Sequence, residues 1–204
     1  MNDHTRLIAA AAKAVLQPNG FKRKGRSRVW FADRGYWLSV VEFQPSAWSR
    51  GSYLNVAVHW LWGQPPHVLT FDRAERVDGF IEFESEEQFK PLAYEFAKHA
   101  LEAAERDQTR FQSIQDAAAL LIEEEEAREI YKGAWAAFHA GVAAAMAGRF
   151  DDARRMLASV QEPHALPAAA RLLKSADQPN SLGEQIRSML NDERVHFGLL
   201  PLTS

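Results

Sequence analysis

Cysteine is missing from all 204 residues. No disulfide framework, thiolate nucleophile or cysteine-held zinc or iron–sulfur site can therefore be built, a composition that suits a reducing cytoplasm. Long apolar runs are missing too. None is longer than Leu7 to Ala12, which ends at Lys13, far short of the roughly 20 residues needed to cross a bilayer. No membrane partner is expected, and because Asp3 and Lys13 break the pattern of a secretory signal, the N-terminal segment reads as mature protein. The sequence also lacks a Gly-rich phosphate loop, a Gly-x-Ser-x-Gly elbow and an acidic-x-Lys triplet. No two of its seven histidines stand at the i, i+3 or i, i+4 spacing that puts both imidazoles on one helix face. No metal and no cofactor are expected.

What is present is a chain with 47% hydrophobic and 25% charged residues, enough apolar surface to form a real core. The net charge of -3 is unevenly spread: residues 1–50 carry nine basic and three acidic side chains, the remainder fifteen and twenty-four. Five of the six tryptophans lie at 30, 37, 48, 60 and 62, whereas alanine dominates the second half. Two compositions predict two structural units. The charge division fits either an anionic partner or mutual attraction of the two halves.

Residues 5–16 put Leu7, Ile8, Ala11, Val15 and Leu16 on one helical face, with a stop at Pro18-Asn19-Gly20. From residue 28 the period changes to that of strands: 28–33, 36–44 and, after a loop, 53–62. The alternation predicts Val29, Phe31, Trp37, Val41, Phe43, Leu54, Val56, Val58, Trp60 and Trp62 pointing inward. Arg28, Trp30, Glu42 and Gln44 then share the opposite face with Asn55 and His59. Short edge strands are expected at 68–71 and 79–83. Ser85 and Gln88 form a capping box that opens a helix to about Asp107, and helices follow at roughly 109–126, 128–147, 150–160, 166–175 and 182–195. The expected fold class is α+β: an N-terminal helix and an antiparallel sheet of four or five strands over residues 1–84. An Ala-rich helical region, 85–204, packs on that domain or beside it.

Within 134–160, Gly141, Gly148, Phe150, Ala153 and Leu157 fall in the order at which a tetratricopeptide unit places its small and aromatic residues. This resembles a single helical hairpin of that type. The 34-residue period does not recur, so a peptide-binding array is not expected.

Gly20-Phe21-Lys22-Arg23-Lys24-Gly25, then Val29-Trp30-Phe31, the run Val41-Glu42-Phe43-Gln44-Pro45-Ser46-Ala47-Trp48-Ser49, and Gly51-Ser52-Tyr53-Leu54-Asn55-Val56 follow one another in this order. Together they resemble the bacterial domain of unknown function 4304 family, from about residue 8 to residue 62 or somewhat beyond. The resemblance implies a small α+β domain found in bacteria, and it implies no activity.

Three functional readings stay open. The loop from Pro45 to Ser52 holds Ser46, Trp48, Ser49 and Arg50; with Glu42, Gln44, Asn55 and His59 on the adjoining polar face it suits a non-catalytic module that binds another protein. Its alternative is that Trp48 folds back over the sheet edge. Lys22, Arg23, Lys24, Arg26 and Arg28, followed by Trp30, Tyr36 and Trp37, suit a nucleic-acid or phosphate ligand instead, with the rings as stacking platforms. A hydrolase using His59 oriented by Glu42 is the third reading.

Overall fold

The computed structural model describes residues 3–63 and 66–202. They form two compact units: residues 1–59 with 71–109, and residues 60–70 with 110–204. The division falls elsewhere than at residue 84, because the long helix after the sheet belongs with the sheet.

In the first unit, helix α1 (Asp3–Leu16) buries Leu7, Ile8, Ala11, Ala12, Val15 and Leu16, the stripe its periodicity predicts. A 3-10 turn closes it at Gly20, whose φ of 85° is the left-handed conformation that only glycine adopts cheaply. Five strands follow in sequence order: β1 (Lys22–Arg23), β2 (Val29–Asp33), β3 (Trp37–Pro45), β4 (Gly51–Trp60) and β5 (Arg73–Glu82). They make an antiparallel meander. Helix α2 (Glu86–Arg110) then starts at the capping box: Ser85 Oγ accepts from Gln88 N at 3.2 Å, and the Gln88 side chain reaches back to Glu84 N at 3.3 Å. Its buried Phe89, Ala93, Phe96, Ala97, Ala100 and Ala104 join α1 over one sheet face. The ion pairs Arg106–Glu75 and His99–Asp78 tie α2 to β5.

Two expectations about the sheet are corrected. Trp30 stands opposite Val41 and Phe31 opposite Val40, so Trp30 faces the helices with Val41, Phe43, Leu54 and Val56, while Val29 and Phe31 share the Glu42 face. The turn at Arg34–Tyr36, closed by Arg34 N donating to Trp37 O at 3.0 Å, shifts the pairing by one residue. Such a shift turns every side chain of a strand over. Likewise, 68–71 is not a strand, and β5 is one ten-residue element rather than a short one at 79–83. It is an edge strand facing water on much of its surface, so it carries charge where a buried strand would carry apolar alternation, and a register shift interrupts it beside Leu54.

The second unit contains α3 (Ile114–Glu126), α4 (Trp135–Met146), α5 (Phe150–Ala158), α6 (Leu166–Leu173) and α7 (Pro179–His196). Residues 128–134, expected to be helical, are not: Tyr131 and Gly133 have φ of 57° and 74°. α4 is apolar apart from His139 and buried from Ala137 to Ala145. Its Gly141 lies against Leu157 of α5 so closely that an added Cβ would stand 2.7 Å from Leu157 Cγ. No described helix is long and apolar enough to cross a membrane.

Candidate functional site

The β3–β4 connection is shorter than expected, with strand pairing up to Pro45 and from Gly51 leaving Ser46–Arg50 as the loop. Ser46 Oγ accepts the backbone N–H of Trp48 at 3.1 Å and of Ser49 at 3.3 Å, a hydroxyl turn that fixes the loop from within. Gly51 closes it: a Cβ there would meet the Ile81 carbonyl oxygen at 2.1 Å, so the position requires glycine. Arg50 lies over the Phe83 ring at 4.5 Å and 3.9 Å from Asp3 Oδ2. Trp48 does not fold back; it is 96% exposed. A tryptophan held out by a braced loop of a sheet exposes the largest apolar side chain to water with nothing around it.

Beside this loop, Glu42, Gln44 and Asn55 do share a face, and they bond to one another. Asn55 Nδ2 donates to Glu42 Oε2 at 2.9 Å and Gln44 Oε1 at 3.1 Å; Arg76 of β5 donates to Gln44 Oε1 at 2.8 Å and Asn55 Oδ1 at 3.3 Å. Arg76 also lies 4.2 Å over the Tyr53 ring, which packs on Phe80 at 5.0 Å. The network satisfies its own members, so this face is a rigid floor more than an open polar site. Arg76, Tyr53 and Phe80 escaped the sequence reading; the signal for Arg76 lay in a charged run resembling a loop.

His59 is buried on the same strand, with Nδ1 3.7 Å from Asp72 Oδ2. Glu42 turns to Asn55 and His59 to Asp72, so the expected base and orienter are not brought together. Among the described residues no three His, Asp or Glu side chains gather as a metal site.

The basic segment divides. Arg23 donates to the Ser27 and Arg26 carbonyls, holding its own turn, and Arg28 donates to Thr5 Oγ1 at 2.5 Å and to His4 Nε2 at 3.2 Å. Arg28 therefore reaches α1, not the Asn55 face. Burial, then the Arg28 and Arg50 charges, hold the His4 imidazole below its ordinary pKa; burial likewise lowers that of Arg28. Lys22, Lys24 and Arg26 are exposed. Of the three rings expected to stack on bases, Trp30 and Trp37 are not available, being 5% and 1% exposed, and Tyr36 is half-buried.

A family model, described as a domain of unknown function (DUF4304), matches residues 12–126, more than half of the chain. This chain belongs to the DUF4304 family. The DUF4304 match reaches well past residue 62 and takes in α2 and α3, which the motifs in the sheet alone did not reveal. No curated protein and no solved structure matches the chain. The remaining helices, α4 to α7, lie beyond the family match.

Proposed function

We propose that this DUF4304 protein is a non-catalytic interaction module that engages another protein through Trp48 and the loop Ser46–Arg50. The single observation that supports this reading is the 96% exposure of Trp48 on a loop braced by Ser46 and closed by Gly51. Rigid aromatic anchors contribute most where little freedom is lost on binding, and their truncation typically costs about 2 kcal/mol or more, roughly 30-fold in affinity. The satisfied Glu42–Asn55–Gln44–Arg76 floor supplies the stiffness such an anchor needs. The test is quantitative affinity capture from cells that express the protein natively, run in parallel with Trp48→Ala and with Tyr131→Ala as a second exposed aromatic. A partner retained by wild type and Tyr131→Ala and lost with Trp48→Ala supports the reading. Equal recovery by all three removes it.

A second reading, binding of an anionic or phosphate ligand, rests on Lys22, Lys24 and Arg26, which are exposed and have no acidic partner among the described residues. Oligonucleotide binding at low salt that falls steeply as salt is added supports it; none at low salt removes it.

A further inference from the structure

A cleft in the second unit, well away in sequence from the Trp48 loop, carries the features of a small-molecule site. It encloses about 700 Å³, within the range of ligand pockets. Gln185, Ser188, Met189, Asp192 and His196 line it from α7, and Trp62, Pro66 and His67 from the segment after β4; the spacing of the first five puts them on one helical face. The imidazoles of His67 and His196 stack with centroids 4.5 Å apart and planes 14° from parallel. Both are exposed, as is Arg171, so they form the rim; Trp62 and Glu193, 0% and 4% exposed, form the inner wall.

Glu193 is the decisive residue. Oε1 accepts the backbone N–H of His67 at 2.5 Å, in a turn where His67 has φ of 66°, a conformation uncommon for any side chain but glycine's. Oε2 is buried and has no hydrogen-bond partner among the described residues. A buried carboxyl oxygen without a donor is costly to keep, and buried polar atoms are nearly always satisfied. Burial holds this carboxyl above its ordinary pKa, against the His67 N–H and the His67 and His196 rings.

We propose that this cleft binds a small organic cation, a compound with a protonated amine that pairs with the Glu193 carboxyl, a rim side chain giving way so that its N–H reaches the buried Oε2, while its carbon frame lies against Trp62 and the stacked imidazoles. The ammonium supplies both the missing hydrogen bond and the opposite charge that a buried carboxylate needs. Arg171 has no acidic partner among the described residues and stands at the rim, where it can take the carboxylate of an amino acid. Simple amines and free amino acids share the ammonium and differ at Arg171.

The test is isothermal calorimetry and ligand-observed NMR on the full chain with agmatine, L-arginine and benzylamine, and with benzyl alcohol as the uncharged match. The expected result is millimolar or tighter binding of at least one amine and none of the alcohol. Glu193→Gln should weaken binding by roughly tenfold or more, and Ser188→Trp, which fills the cleft from an exposed position, should abolish it. Loss in Arg171→Ala of L-arginine binding but not of agmatine binding identifies an amino-acid ligand; no loss of either identifies a simple amine. Absence of binding by all three amines to wild type overturns the proposal. So does undiminished binding to Ser188→Trp, which stands as a check should Glu193→Gln fail to fold.

Discussion

The indole N–H of Trp62 donates to Nδ1 of His139 at 3.2 Å, both side chains being buried. The bond fixes the tautomer of His139, with the proton on Nε2, and joins two distant parts of the chain: the segment that follows β4 and the middle of α4. Around it, Trp60 stacks on Trp62 at 5.0 Å and meets Phe111 edge-on at 5.2 Å. Trp62→Phe keeps an aromatic ring and removes the donor, leaving a buried nitrogen that had been satisfied. The expected cost is about 1–3 kcal/mol, read as a lower urea midpoint with an unchanged slope. An unaltered midpoint would show that the bond contributes nothing net.

Gly141 presents two opposing effects of known size. Alanine is a better helix former than glycine by about 1 kcal/mol, which favours Gly141→Ala. Against it, the new Cβ would stand 2.7 Å from Leu157 Cγ, 2.9 Å from Cδ2 and 3.1 Å from the Leu157 backbone nitrogen. Leu157 is 1% exposed and has nowhere to retreat, and overpacking of that kind costs about 1–3 kcal/mol. Gly141→Ala should therefore destabilise, and Gly141→Ala with Leu157→Ala should cost less than the two single changes added together. Additive costs would refute the close crossing.

Two histidines of the first unit act on stability with opposite signs. His99 donates to or shares its Nδ1 proton with Asp78 at 2.5 Å, and that bond raises its pKa above 6.5. The stability it contributes is complete below 6.5 and is lost as pH rises through the folded value. With 44% of the His99 side chain exposed, the effect is small. His4 is lowered from 6.5, mainly by burial; its contribution is complete above 6.5 and is lost as pH falls from there through the folded value. Melting temperatures from pH 5 to 8, spanning the usual histidine range, should show the loss on the alkaline side reduced in His99→Gln and the loss on the acid side reduced in His4→Gln. Profiles parallel to wild type in both variants would contradict the assignment.

The elements that fold by local rules were legible. The α1 stripe, the Ser85–Gln88 cap and the order of strands in the meander all follow from periodicity and capping. The face of β2 was not, because it depends on how many residues the Arg34 turn spends, and one residue turns Trp30 from a candidate stacking ring into core. β5 was hidden by Arg73, Glu75 and Arg76, charges suited to a sheet edge and to a loop alike. At the candidate site, the spacing located the Trp48 loop and grouped Glu42, Gln44 and Asn55 on one face, yet which bonds they make depends on Arg76, a residue in a neighbouring strand. Glu193 had no signal at all: on α7 it reads as one more helix-surface acid, and only the fold makes it buried.

On the proposed reading, Trp48 separates recognition from stability. At 96% exposure its indole contributes almost nothing to the folded state, so Trp48→Ala should leave the unfolding free energy within about 0.5 kcal/mol of wild type. Ser46 supports the same loop from inside, with its hydroxyl accepting the N–H groups of Trp48 and Ser49. Ser46→Ala keeps the indole and loosens the turn that presents it. If presentation matters, Ser46→Ala should weaken partner binding by part of the Trp48→Ala loss, because a floppier anchor loses more freedom when it docks. The two variants, compared by denaturation and by binding to the captured partner, should thus match in stability to within a kcal/mol or so and rank wild type, Ser46→Ala, Trp48→Ala in affinity. A Trp48→Ala protein that unfolds more readily while binding as wild type does would place the indole in the fold and take it out of recognition.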